Sequence, residues 1–316
     1  MRIAATFLFS ATLAAGTGGY EQTLLVAKKG MLHMTIAAET DWRFLKSSTA
    51  IAFAICSALA LSGCETTTSA LNSVTAVDVA QSSTENISSL TEVIRRSPNN
   101  AEAYNIRGSA YGKGGRYKEA LQDFDTAIRL NPNFHQAYSN RALIHRYMGN
   151  QQAALQDYNR AIQLNPSYDA AYIGRGNLYR LAGRTSEAFQ DFERAVQLDT
   201  TDPRAYHNRG LLYQARGQHD FALQDFASAI SLSPSATEPY NARGLSYLAL
   251  NDDENAASDF NRVITLDRNN AEAWAYQGVV LERQGDKTRA MRSFGEALRL
   301  DPNLKVAKDG LARTRT

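Results

Sequence analysis

One period governs most of this chain. From residue 101 to residue 304 the same side-chain types return every 34 residues, six times, without an insertion. The fourth position of each unit is Tyr104, Tyr138, Tyr172, Tyr206, Tyr240 or Trp274, and the eighth is Gly108, Ala142, Gly176, Gly210, Gly244 or Gly278. Position 20 is alanine throughout (Ala120, Ala154, Ala188, Ala222, Ala256, Ala290), and position 24 is aromatic (Phe124, Tyr158, Phe192, Phe226, Phe260, Phe294). A unit this short cannot bury its apolar face alone, so consecutive units must cover one another in a stack. A domain built around one central core is thereby excluded.

The spacings within a unit say how it folds. Positions 4, 8 and 11 share one face of a helix, and positions 20, 24 and 27 share one face of another. The small residue at position 8 lets the two helices approach closely. Between them, Gly115, Gly149, Gly183, Gly217 and Gly285 stand at position 15, where a left-handed residue ending the first helix costs glycine nothing. Pro132, Pro166, Pro234 and Pro302 at position 32 stop the second helix, while Thr200 and Arg268 depart from that pattern.

This register resembles the tetratricopeptide repeat (TPR) over about two-thirds of the chain. The resemblance implies an all-α fold, a right-handed superhelical solenoid of six helix pairs: 101–134, 135–168, 169–202, 203–236, 237–270 and 271–304. Ile87, Leu90, Val93 and Ile94 match the second-helix half of a preceding unit, so residues 84–100 are expected to cap the front. Val306, Ala307 and Leu311 place a closing helix over 305–316.

The family usually has leucine at position 7, whereas this chain has Arg107, Arg141, Arg175, Arg209 and Arg243. Position 23 answers with Asp123, Asp157, Asp191, Asp225 and Asp259, and both columns change together in the sixth unit, to Gln277 and Ser293. Joint change predicts contact between the columns, an ion-pair ladder joining the two helices of each unit. The alternative is a row of arginines that binds acidic ligands.

In TPR proteins the concave face comes mainly from the first helix of each pair, and it holds an extended peptide or a helix. The register puts Asn105, Arg146, Tyr147, Asn177, Arg180, Arg204, His207, Asn208 and Asn241 there as candidate partner-binding residues. Asparagine side chains carry both an acceptor and donors for a peptide backbone. Arg146, Arg180 and Arg204, expected to be exposed, favour a carboxylate-bearing segment. The carboxylate clamp of chaperone-binding relatives is absent, since Ile173, Glu238 and Ala242 occupy its remaining slots.

Charge narrows the partners further. Lys plus Arg (34) nearly balance Asp plus Glu (32), and only residues 305–316 are basic, so no nucleic-acid footprint is present. Two cysteines among 316 residues exclude a disulfide scaffold and a thiolate zinc site. With no Ser-His-Asp arrangement, phosphate loop or His-Glu-x-x-His pair, the expectation is a non-catalytic protein with no cofactor and no metal. His145, in place of Tyr at position 11, reads as a core histidine.

The first 63 residues read as an address. Arg43 and Lys46 precede an apolar run from Ser47 to Leu61, of signal-core length and short for a bilayer span. It ends in Leu61-Ser62-Gly63-Cys64, which resembles the lipobox of a bacterial lipoprotein precursor. That family lipidates the cysteine and cuts before it, which implies acyl chains on Cys64 as a membrane anchor. Glu65 after it lacks the common inner-membrane retention signal, so the expected location is the outer membrane, facing the periplasm. Met34 would give a signal of ordinary length, so residues 1–33 are expected to lie outside the working gene product. Residues 64–83 form a Ser/Thr-rich tether too poor in apolar surface to fold. The functional expectation is a lipid-anchored adaptor binding protein partners at the cell envelope. The alternative is a structural or pilotin-like component of a secretion or pilus assembly.

Overall fold

The computed structural model describes residues 84–315. The expected signal, Cys64 and the expected tether lie outside the described residues. Within them the chain forms helices only, fourteen in succession. Helix α1 (Thr84–Arg96) leads, and α14 (Lys305–Thr314) closes. Between them run six antiparallel pairs: α2 (Ala101–Lys113) with α3 (Tyr117–Leu130), α4 (His135–Tyr147) with α5 (Gln151–Leu164), and α6 (Asp169–Leu181) with α7 (Thr185–Gln197). The series continues as α8 (Pro203–Ala215) with α9 (His219–Leu232), α10 (Thr237–Ala249) with α11 (Asp253–Leu266), and α12 (Ala271–Arg283) with α13 (Lys287–Leu300). None is long and apolar enough to cross a membrane.

Packing follows the columns. Phe124, Phe192, Phe226, Phe260 and Phe294 are at most 1% exposed, and the alanines of position 20 are fully buried between helices. Each phenylalanine lies against the glycine at position 8 of its own unit, where a Cβ would come within 2.7–2.9 Å of the ring. Burying one such ring is worth about 1.5–3 kcal/mol. The five glycines at position 15 all have φ between 71° and 82°, and Asn251 takes the same role in the fifth unit at φ 60°.

Successive first helices touch directly, α2 with α4, α4 with α6, α6 with α8 and α8 with α10. Such close approach makes them the inner layer of a curved array, with the second helices outside. The third unit departs locally. Without proline at position 32, α7 ends at Gln197, Asp199 turns left-handed (φ 53°), and the buried Thr200 hydroxyl donates to the Asp169 carboxylate. Proline enters instead as Pro203, the first residue of α8, with Asp202 as its N-cap.

Candidate functional site

The position-7 arginines and the position-23 aspartates meet in all five units. In each, Nε and Nη2 of the arginine donate to the two carboxylate oxygens, at 2.6–2.9 Å. The aspartates are buried, and burial raises the pKa of Asp191 and Asp225 against the pull of their arginines. A fork-shaped guanidinium satisfies both oxygens at once, which a lysine could not do. These cations are spent on structure.

A third contact was not readable from the paired columns. Nη1 reaches back to position 25 of the preceding unit: Arg107 to Thr91 of α1, Arg141 to Asp125, Arg175 to Asn159 and Arg209 to Glu193, at 2.6–3.0 Å. Arg243 meets Ala227 in that register and makes no such bond. The sixth unit keeps the geometry without charge, as Ser293 donates to Gln277 and Gln277 to Asn261. The ladder therefore joins units to one another as well as helix to helix. A polar column at position 25 was the available signal.

The inner-face candidates divide. Asn105 and Asn208 are buried, 9% and 7% exposed, which corrects the expectation that both face a ligand. Asn105 accepts from Asn140 (2.9 Å), and Asn208 returns a hydrogen bond to the Arg204 carbonyl (2.7 Å). Half-buried Asn177 likewise donates to the Ile173 carbonyl, and Asn241 donates to Asn270 at 3.4 Å. Asn177 and Asn208 thus bond back within their own helices, whereas Asn105 and Asn241 bond to a neighbouring segment.

Arg204 is exposed, but its charge is already held by Asp202, with Nε contacts of 2.9 and 3.0 Å. The proline shift into α8 puts that N-cap carboxylate beside it, which corrects its reading as a free cation. Arg146 and Arg180 are half-buried, which also corrects their full exposure, and neither has a carboxylate partner among the described residues. Their Nε atoms are enclosed without a hydrogen-bond partner, as are His207 Nδ1 and Asn241 Oδ1.

Around them the face is partly apolar. Tyr147 (56% exposed) stacks on Tyr117 at 5.8 Å and lies under the Arg146 guanidinium at 4.8 Å. Leu181, 59% exposed, follows Arg180 in the next unit as Tyr147 follows Arg146. His207 lines a hollow of about 260 Å³ with Pro203, Arg204, Ala236, Glu238 and Pro239. Burial lowers the pKa of His207, Glu238 opposes that shift, and Arg180 adds to it. His145 is half-buried, 4.0 Å from Asp157.

One contact of this region escaped the sequence reading. Tyr158 replaces phenylalanine at position 24, and its hydroxyl lies over Gly174 of the next unit, where a Cβ would come within 2.6 Å of the oxygen. Burial raises its pKa to about 12, against the charge and hydrogen bond of Arg146 and the charge of Arg204. A single tyrosine in an aromatic column and a single glycine at position 6 were the only traces.

Comparison with known proteins agrees with this architecture. Family models described as tetratricopeptide repeat match residues 101–134, 135–168, 207–271 and 241–304, and one described as TPR repeat matches 176–217. No match was found among curated proteins. Among solved structures, the Cut9–Hcn1 hetero-tetramer of the APC/C superposes at TM-score 0.63 with 19% identity over 74% of this chain and 47% of that one. This chain thus spans about half the length of that relative. PilW, described as a widely conserved type IV pilus biogenesis factor, gives TM-score 0.57 with 17% identity, covering 68% of this chain and 98% of its own. YrrB, described as a TPR protein with an unusual peptide-binding site, gives 0.53 with 24% identity, covering 60% and 97%. At these identities the structures share the fold. Six units in register, two helices in each and family matches across most of residues 101–304 place the chain in the tetratricopeptide repeat family of protein-interaction scaffolds.

Proposed function

We propose that this protein is a non-catalytic, lipid-anchored adaptor of the bacterial cell envelope that holds an acidic segment of a partner protein in its inner groove. One contrast carries the binding part. The position-7 arginines are all paired, whereas Arg146 and Arg180, at position 12 of adjacent units on the inner helices, are left without a carboxylate. A guanidinium held half-buried without a counter-charge is costly unless a ligand anion completes it. Tyr147 and Leu181 beside them suit apolar side chains of the same segment.

The anchor rests on the lipobox sequence at Cys64. A single acyl chain binds a membrane only marginally, and two or three, at about 0.8 kcal/mol per buried CH₂, anchor it stably. Affinity capture from detergent-solubilised envelopes tests the adaptor reading. The wild type should recover a partner that Arg146→Glu with Arg180→Glu loses, with helical content retained. Recovery of the same partner by that variant would contradict groove binding. Mass spectrometry of the N-terminal peptide tests the anchor, and an unmodified Cys64 would remove it. The shared fold with PilW keeps a pilotin-like role as the second reading, favoured if assembly of an envelope machine fails on loss of the protein yet survives the groove substitutions.

A further inference from the structure

The sixth unit departs from its sisters at a selected set of positions. Position 22 is Gln122, Gln156, Gln190, Gln224 and Ser258 before it becomes Arg292. Tyr becomes Trp274 at position 4, Arg becomes Gln277 at position 7, Asp becomes Ser293 at position 23, and the preceding position 32 is Arg268 where proline is usual. The packing columns of the second helix hold, with Ala290, Phe294 and Ala297 in place and fully buried.

These changes converge in space. Arg268, Trp274, Arg292 and Ser293 line one open trough of about 770 Å³, together with Ile264 and the ion-paired Arg299 and Glu296. A second hollow of about 280 Å³ adjoins it, shares Arg292 and Ser293, and is walled by Gln277 and Asn261. The trough is built mainly by the second helices α11 and α13, away from the inner-face arginines.

Its charge comes from the two introduced arginines, since the sixth unit loses the position-7 arginine and the position-23 aspartate together. In the other five units a buried carboxylate stands at position 23, and here Ser293 donates to Gln277 at 2.7 Å in a neutral chain. Arg289 is held by Asp286 (2.5 Å) and Arg299 by Glu296 (2.6 Å). Arg268 and Arg292 have no ion pair among the described residues, and Asp286 acts on Arg292 only through space. The half-buried Trp274 indole lines the same trough, pinned by its Nε1 donating to the Arg268 carbonyl at 3.0 Å. An inorganic anion would leave that indole and Ile264 uncovered.

We infer that this trough is a second binding site, independent of the inner groove, for an extended acidic peptide that alternates carboxylate and apolar side chains. The carboxylates pair with Arg268 and Arg292, and the apolar side chain covers Trp274.

Trp274 is also the reporter. The chain has two tryptophans, and replacing Trp42 by phenylalanine in the full-length protein leaves Trp274 as the sole one. Titration with the capped peptide Ac-Glu-Leu-Glu-Leu-Glu-NH₂ should give a saturable shift of Trp274 emission that weakens as salt rises. The glutamine counterpart should give none. Arg268→Gln with Arg292→Gln should weaken binding at least about tenfold, and Arg146→Gln with Arg180→Gln should leave it unchanged. Equal binding of the glutamine peptide, no response to the acidic peptide, or a response to phosphatidylglycerol vesicles alone would each overturn the assignment. None of these outcomes bears on capture through the inner groove.

Discussion

Arg175 grips Asp191 with two nitrogens, at 2.9 and 2.7 Å, and the same guanidinium extends a third to Asn159 of the preceding unit at 2.7 Å. One side chain thus fixes the register of two helices and the seat of one unit on another. Removing either partner leaves the other buried and uncompensated, so Arg175→Ala and Asp191→Ala should each cost about 3 kcal/mol. The double variant should cost clearly less than the sum, with a coupling of at least about 1 kcal/mol in urea unfolding. Strict additivity would show that the pair does not act as a unit.

The ladder has one missing rung. Arg243 is paired with Asp259 like its sisters, but Ala227 stands where Thr91, Asp125, Asn159 and Glu193 serve the other arginines. Ala227→Glu supplies the carboxylate that Glu193 supplies one unit earlier. It should stabilise the array by about 0.5–1 kcal/mol, an effect that shrinks in high salt. An unchanged or lowered melting temperature would contradict the inter-unit role of the third nitrogen.

Two helical glycines make opposite predictions from one substitution. A Cβ at Gly174 would meet the Tyr158 ring at 2.3 Å, so Gly174→Ala should destabilise by about 1–3 kcal/mol despite its better helix propensity. At Gly295 nothing lies within 4 Å, and Gly295→Ala should stabilise by up to about 1 kcal/mol. Thermal melts of the two variants side by side give the comparison, which fails if both shift in the same direction.

How much of this was legible follows from which residues carry a period. The Arg–Asp contact could be read because a fixed separation of 16 recurs five times and both columns change together at Gln277 and Ser293. The third contact hid because its acceptors differ in type, from Thr91 to Glu193. Tyr158 over Gly174 is a single event, and one event has no period. Asn105 and Asn208 were misplaced because register gives the face of a helix and not how closely the next helix approaches it. Arg204 was misread for a local reason, the shift of proline from position 32 to Pro203.

The inner face should respond to acid. Burial holds the pKa of His207 below its ordinary value, so the folded state disfavours the charged ring. Stability from this group is therefore full above the unfolded histidine pKa near 6.5 and is lost as pH falls below it toward the folded value. His207→Gln should flatten part of the decline in melting temperature between about pH 7 and pH 5. An identical decline in wild type and variant would show that the ring protonates freely in the fold.

Site-specific photo-crosslinking in cells tests the central claim most directly, with a benzophenone side chain at Tyr147, exposed beside Arg146, or at Gln122, exposed on the second helix α3. Groove binding predicts a discrete adduct with one partner from position 147, lost when Arg146→Glu and Arg180→Glu are added, and no such adduct from position 122. The same adduct from both positions, or one from position 147 that survives the two charge reversals, would contradict it.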